Sequence, residues 1–221
     1  DEGVLYRQLM PWATGRIARL CTDNAEPIGI TIEAGDDAGA GYLTELGLVT
    51  KGEIRHHTYR WLEGEPMDRA PLPEGYRFVA LEDDGRVTER WRLHKAVWEQ
   101  ATLDDRRYTQ VRSAPYYRRD LDLCVETDAG ELVAFALGWL DPEGGSCQFE
   151  PIGTHPDHRG KGIGKALVKE ATHRVRELGA DRCYINCSAK NEAGNALYAA
   201  AGYALVGRWQ WWHYPAAGES T

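Results

Sequence analysis

One stretch constrains the fold of this chain more than any other. It is Thr154-His-Pro-Asp-His-Arg-Gly-Lys-Gly-Ile-Gly-Lys165, followed by an amphipathic run to Leu178. Ile163, Ala166, Leu167, Ala171, Val175 and Leu178 recur at helical spacing, so 162–178 reads as a helix with one apolar face. Gly179 stands just past its end, as a C-cap should. Ahead of it, SCQFEPIGT (146–154) reads as a strand. A strand that turns through Gly160, Gly162 and Gly164 into a long helix leaves the first helical N–H groups without intrahelical partners. The positive end of the helix dipole lies at the same place. Glycines let an anion come close to the backbone, and Arg159, Lys161 and Lys165 add positive charge. The segment predicts a pyrophosphate cradle. Taken alone, it reads equally well as a tight strand-to-helix turn.

The surrounding chain alternates between the two periods. After a break at Pro71–Gly75, YRFVAL reads as a strand. Residues 86–100 read as a helix on Val87, Trp91, Leu93, Val97 and Trp98. A second helix runs from Leu103, with Asp104 and Asp105 in its first turn, where the dipole favours negative charge. Residues 121–126 and 131–140 read as strands about the turn Thr127–Gly130, and 182–188 as another. Residues 192–201 form an alanine-rich helix stopped by Gly202, and 203–214 a bent strand or hairpin. This pattern predicts an α/β domain with a mixed sheet. Pro151 cannot donate to a ladder and Gly153 weakens a strand interior, so a bulge is expected there.

The front of the chain echoes the back. Asp37-Ala-Gly39 matches Glu192-Ala-Gly194, Leu46-Gly47 matches Ala201-Gly202, and Gly52 matches Gly207. All share a single offset of 155 positions, as from Gly47 to Gly202. At that offset Ile28, Ile30 and Ile32 fall opposite Cys183, Ile185 and Cys187, and a helix over 4–21 falls opposite 159–176. The expected organisation is a partial, degenerate repeat over 1–70 and a complete domain over 71–221. The chain begins at Asp1, which leaves open a trimmed chain with more of an N-terminal domain ahead of it.

The loop is neither of two common phosphate motifs. A Walker loop needs Ser or Thr after its Gly-Lys, and Lys165 is followed by Ala166; the dinucleotide pattern is G-x-G-x-x-G, and here the glycines run G-x-G-x-G. Arg159-Gly160-Lys161-Gly162-Ile163-Gly164, preceded by His155-Pro156, resembles the acyl-CoA loop [Q/R]-x-x-G-x-[G/A] of the GNAT superfamily of N-acetyltransferases. A second signature of that family, Asn-x-x-Ala-x-x-Leu-Tyr-x-x-x-Gly-Phe, is similar to Asn191-Glu-Ala-Gly-Asn-Ala-Leu-Tyr198 with Ala201-Gly202-Tyr203. Gly194 and Tyr203 depart mildly from it. The resemblance covers roughly 73–214. It implies a twisted mixed sheet flanked by helices and splayed between its fourth and fifth strands, with the pantetheine arm of acetyl-CoA, or another short acyl-CoA, in the gap. The front repeat resembles the end of a second such domain, as in tandem members. Its loop counterpart, Val4–Leu9, has no glycine, so it is expected to be scaffold or substrate wall.

The resemblance also implies roles. Backbone groups of Ile152, Gly153 and Thr154 would bond the pantetheine arm. Arg159, Gly160, Lys161, Gly162, Ile163, Gly164 and Lys165 would hold the pyrophosphate. N-acylation needs a neutral amine, a stabilised oxyanion and an acid for the departing thiolate. Glu150 precedes the loop on its strand and by period two shares a face with Ile152 and Thr154. It reads as a general base acting through water, or as a surface glutamate. Tyr198 matches the family tyrosine near the CoA sulfur, or is a core tyrosine. Asn191 bonds the cofactor arm or caps its helix.

Composition narrows partners and compartment. A net charge of −8 lacks the basic stripe of a nucleic-acid footprint and suits a cationic amine or ordinary solubility. Five cysteines, at 21, 124, 147, 183 and 187, fit a reduced cytoplasmic setting. Cys183 and Cys187 share a strand face and read as buried apolar thiols. His56-His57 point to opposite faces, so no metal is expected. No apolar run is long enough to span a membrane, and no secretory leader is read. Trp139, Trp209, Trp211 and Trp212 line an aromatic pocket, or serve as core, as a homodimer contact or as the junction with the front repeat. Tyr116-Tyr117-Arg118-Arg119 lie where the family builds its substrate wall. The expected activity is transfer of an acetyl group to a small-molecule amine by direct attack in a ternary complex. A protein or peptide N-acetyltransferase and a non-catalytic acyl-CoA-binding regulator are the alternatives.

Overall fold

The computed structural model describes residues 10–13, 15–16, 29–82 and 84–215. Its elements are β1 (Gly29–Glu33), α1 (Asp37–Glu45), β2 (Ile54–Leu62), β3 (Tyr76–Ala80), α2 (Val87–Val97), α3 (Asp105–Arg112), β4 (Asp122–Thr127), β5 (Leu132–Asp141), β6 (Ser146–Thr154), α4 (Ile163–Glu177), β7 (Arg182–Ser188), α5 (Glu192–Ala200) and β8 (Ala204–His213). The tail expected as a bent strand or hairpin is the single strand β8. Residues fall into two compact units. The larger comprises Tyr59–Asn186 and Glu192–Leu205, and the smaller Asp1–Thr58, Cys187–Asn191 and Val206–Thr221.

In the larger unit the strand order is β2-β7-β6-β5-β4-β3. β3 to β6 pair antiparallel in succession, and β6 pairs parallel with β7. β4 and β5 are buried along almost their whole length, because helices lie on both faces. On one face α2 and α3 bring Leu93, Tyr108, Val97 and Val111 against Leu81, Cys124 and Phe135. On the other, α4 buries Ile163, Ala166, Leu167, Ala171 and Val175. These are the residues whose spacing marked the helix, save Leu178, which follows its last turn and is exposed; the end at Gly179 (φ +98°) needs the left-handed conformation that glycine supplies. α3 starts where its sequence signals predict: the Asp104 side chain accepts from the Arg107 N–H at 2.8 Å.

A buried ionic cluster underlies the α2–α3 face. Arg90 is 1 % exposed and Asp122 0 %, and Nε lies 3.0 Å from Oδ1. The other Asp122 oxygen accepts from the hydroxyls of Tyr108 and Tyr117, the latter at 3.1 Å. The guanidinium lies 3.7 Å from the Phe135 ring centroid. Burial opposes its charge, and Asp122 together with Tyr108 and Cys124 outweighs that, so its pKa stands above the ordinary value.

In the smaller unit β1 is the neighbour of β8. β1 pairs antiparallel with β8 from Gly29↔His213 to Glu33↔Trp209. Its core gathers Met10, Ile32, Leu43, Leu48 and Trp212. Trp212 is therefore core. Trp211 carries Arg55 at 4.0 Å over its ring, and the Trp209 indole donates to Thr58 Oγ1 at 2.7 Å.

At the 155-residue offset one helix recurs in register, while residues 50–53 form no strand opposite 205–208 of β8. α1 and α5 begin and end at matched positions, Asp37–Glu45 against Glu192–Ala200. Each is followed by a left-handed glycine, Gly47 at φ +82° and Gly202 at φ +97°. Val4–Leu9, Ile28 and most of the helix expected over 4–21 lie outside the described residues; Met10–Ala13, Gly15 and Arg16 within it are helical.

Candidate active site

The site begins where two strands part. β6 and β7 pair through Ser146↔Arg182, Cys147↔Cys183 and Gln148↔Tyr184, and no further pairs follow among the described residues. β6 continues to Thr154, bonded on its other edge to β5 through Ile152↔Ala136, Gly153↔Phe135 and Thr154↔Ala134. The edge of Ile152–Thr154 turned away from β5 thus has no strand partner, as expected for a strand that bonds an extended ligand.

The β5–β6 register shifts between Ala136 and Gly138, so Glu150 and Pro151 together oppose Leu137. This is the bulge expected at Pro151, and it changes which side Glu150 faces. Residues paired across an antiparallel ladder share a face. Gln148 pairs with Trp139 and Gly153 with Phe135, and those two β5 residues share parity. The expectation that Glu150 shares a face with Ile152 and Thr154 therefore fails, because the extra residue breaks the period of two. Glu150 lies with Gln148, whose side-chain amide donates to its carboxylate at 2.9 Å. That face is the α2 side: a Cβ on Gly153 would stand 2.7 Å from Phe135 and 2.9 Å from Val97. Thr154 faces α4, its Oγ1 3.4 Å from where a Gly164 Cβ would be.

The three loop glycines have different reasons. Gly160 (φ +74°) and Gly162 (φ +82°) are left-handed, and an added Cβ at either would meet no atom within 4 Å. Gly164 is needed for close packing: its Cβ would stand 3.3 Å from Leu197, so α5 lies against the first turn of α4. Gly162 is the N-cap of α4 and brings no side-chain hydrogen bond. The first helical bond runs from Ala166 N–H to Gly162 O at 3.1 Å, which leaves the N–H groups of Ile163, Gly164 and Lys165 without intrahelical partners. Bare amides, a dipole end and open space beside two left-handed glycines fit a pyrophosphate group.

The cations around the loop are differently placed. Arg159 turns back, with Nε 3.0 Å from Thr154 O and Nη2 3.5 Å from Val97 O, closing the loop onto the end of α2. Lys161 Nζ lies 3.3 Å from the Tyr76 hydroxyl, which contacts His158 Nδ1 at 2.9 Å.

A sequence model described as Acetyltransferase (GNAT) family matches residues 87–203, more than half of the chain. The chain belongs to the GNAT acetyltransferase family. Among curated relatives, a mycothiol acetyltransferase of Propionibacterium freudenreichii is 31% identical over 181 residues, covering 78% of this chain and 57% of that protein. A mycothiol acetyltransferase of Beutenbergia cavernae is 29% identical over 188 residues, with coverages of 78% and 62%. The chain thus spans about three fifths of the length of these relatives. In fold it is similar to a GCN5-related N-acetyltransferase from Sphaerobacter thermophilus, with TM-score 0.76 at 18% identity, covering 96% of this chain and 69% of that one.

Within this GNAT chain, the larger unit holds Glu150, Ile152–Thr154, Arg159–Lys165 and Tyr198. Tyr198 is 7% exposed on α5, its ring centroid 5.6 Å from that of Tyr59. Asn191 belongs to the smaller unit, where its N–H donates to Ser188 O at 3.0 Å. Cys183 and Cys187 are buried as expected, and burial pushes the Cys183 thiol up to about 12. Gln148 was missed from the sequence, and Trp139 was read there as pocket, core, homodimer contact or junction rather than as a partner of Glu150. Gln148 holds the Glu150 carboxylate, and the Trp139 indole donates to the Glu150 carbonyl at 2.7 Å. Pro151 was the available signal, since a bulge there leaves a carbonyl in need of a donor from outside the ladder.

Proposed function

We propose that the chain transfers an acetyl, or similar short acyl, group from acyl-CoA to a primary amine of a small molecule, by direct attack in a ternary complex. The observation that carries this reading is the parting of β6 from β7 after Gln148 and Tyr184, directly ahead of the glycine-lined start of α4. The unpaired edge of Ile152, Gly153 and Thr154 bonds the pantetheine arm. The amides of Ile163, Gly164 and Lys165, with Gly160 and Gly162 leaving room, take the pyrophosphate. Lys161 and Lys165 supply charge, while Arg159 fixes the loop.

The thioester supplies an activated carbonyl. The new C–N bond forms as the C–S bond breaks. Glu150, on the α2 side of the bulge, takes the proton shed by the amine through a water. The Tyr198 hydroxyl returns a proton to the departing sulfur. A small-molecule acceptor is favoured by the mycothiol acetyltransferases among the relatives. We read 1–70 as a degenerate repeat of the family fold, on the matched ends of α1 and α5. The buried thiols are consistent with a cytoplasmic setting.

The test is CoA thiol release from acetyl-CoA with ethanolamine, glucosamine, spermidine and a serine-initiated hexapeptide as acceptors. Turnover with a small amine supports the reading. Turnover with the hexapeptide alone moves the protein to the peptide class. Acetyl-CoA binding without turnover on any acceptor leaves a binding protein and contradicts it.

A further inference from the structure

We infer that Trp139 and Gln148 form a two-point clamp that positions Glu150 for its part in the reaction; this rests on the reading of Glu150 as the base. The bulge takes Glu150 out of the regular ladder, with two residues opposing Leu137 alone. A carbonyl and a carboxylate at such a place lose the order that strand pairing imposes. Each is held by a different side chain. The Trp139 indole N–H donates to the Glu150 carbonyl at 2.7 Å, standing in for a ladder bond. The Gln148 amide donates to Glu150 Oε2 at 2.9 Å, fixing the carboxylate and leaving Oε1 to take a proton.

The clamp is itself built in. Trp139 and Gln148 are direct cross-strand partners, so their side chains rise from one place on the same face. The Trp139 ring meets Tyr117 edge-on at 6.4 Å, and the Tyr117 hydroxyl is anchored on buried Asp122 at 3.1 Å. Gln148 also sits at the last paired position of β6 and β7, the point where the strands part. Neither residue needs to touch the acceptor for this role, so both are positioning residues that act through Glu150.

The experiment is a double-mutant cycle on the full chain. Turnover is measured with acetyl-CoA and whichever of ethanolamine, glucosamine and spermidine reacts fastest. Gln148→Met keeps length and removes the donor, and Trp139→Phe keeps a ring and removes the N–H. Each is combined with Glu150→Gln. Each single clamp variant is expected to lower kcat by about tenfold, as loss of orientation does, with acetyl-CoA affinity and amine KM unchanged. In the Glu150→Gln background the same replacements are expected to have no further effect on kcat. Equal losses in both backgrounds would show a role independent of Glu150 and overturn the clamp. So would full turnover in both clamp variants while Glu150→Gln is slow; in that case the base reading survives. Full turnover in Glu150→Gln itself overturns the base reading and the clamp with it. A variant that fails to fold, read from its melting curve, is replaced by Gln148→Leu or Trp139→Tyr.

Discussion

Arg90 and Asp122 form an ion pair sealed from solvent, with the guanidinium Nε 3.0 Å from Oδ1 and the two side chains 1 % and 0 % exposed. The pair joins α2 to β4, and Asp122 also accepts from the Tyr117 hydroxyl, whose ring meets Trp139. Removing one partner leaves the other charge buried and uncompensated. Arg90→Met is therefore expected to cost about 3–5 kcal/mol, read as a fall in the urea midpoint at unchanged slope. A loss below about 1 kcal/mol, the range of an exposed pair, would contradict this.

His94 lies on the same helix, between Trp98 at 4.7 Å and Phe135 at 5.7 Å. Its Nδ1 is buried without a hydrogen-bond partner. Burial, with the Arg90 charge beside it, lowers its pKa from 6.5 to about 4. Between those values the unfolded chain binds a proton that the folded chain refuses. Stability is thus full above pH 6.5 and is lost as pH falls toward 4. His94 is partly exposed, so after screening the loss is on the order of 1–2 kcal/mol. Unfolding at pH 7.5 and 4.5 should show it in the parent and not in His94→Gln.

Tyr203 stands where the family motif has Phe, and its hydroxyl is not idle. It lies 2.6 Å from Thr172 Oγ1 on α4. Tyr203→Phe should destabilise by about 1 kcal/mol, and Tyr203→Phe with Thr172→Val by less than the sum of the singles. Thermal melts of the four proteins check it.

Tyr198→Phe keeps the ring against Tyr59 and removes only the hydroxyl. As the acid for the departing sulfur it should lower kcat by about 10²-fold or more with unchanged acetyl-CoA affinity. A variant with full turnover would return Tyr198 to the core.

Much of this was legible before any coordinates. The cradle could be read because Gly160, Gly162 and the helix after them depend on local backbone rules alone, and those rules act within a few residues. The order of strands and helices from Tyr76 to His213 followed from changes of period. The side that Glu150 faces was not legible. Pro151 signalled a bulge, yet a bulge of one residue reverses every later position, and only the pairing of Trp139 with Gln148 and of Phe135 with Gly153 shows the reversal. The clamp was hidden for the same reason, since it depends on register between strands. The aromatic tail divided in a way that spacing could not assign: Trp212 entered a core, and Trp211 stacked under Arg55.

The most direct test is calorimetric binding of acetyl-CoA, beside free CoA and ATP, to the full chain and to Gly162→Glu. The variant puts a carboxylate at the open, left-handed start of α4, where no side chain now stands. Acetyl-CoA and CoA should bind the parent and ATP should not, and the variant, still folded by its melting curve, should bind about a hundredfold more weakly, or about 2.7 kcal/mol. Equal binding by parent and variant, or none by the folded parent, would contradict the cradle and the function built on it.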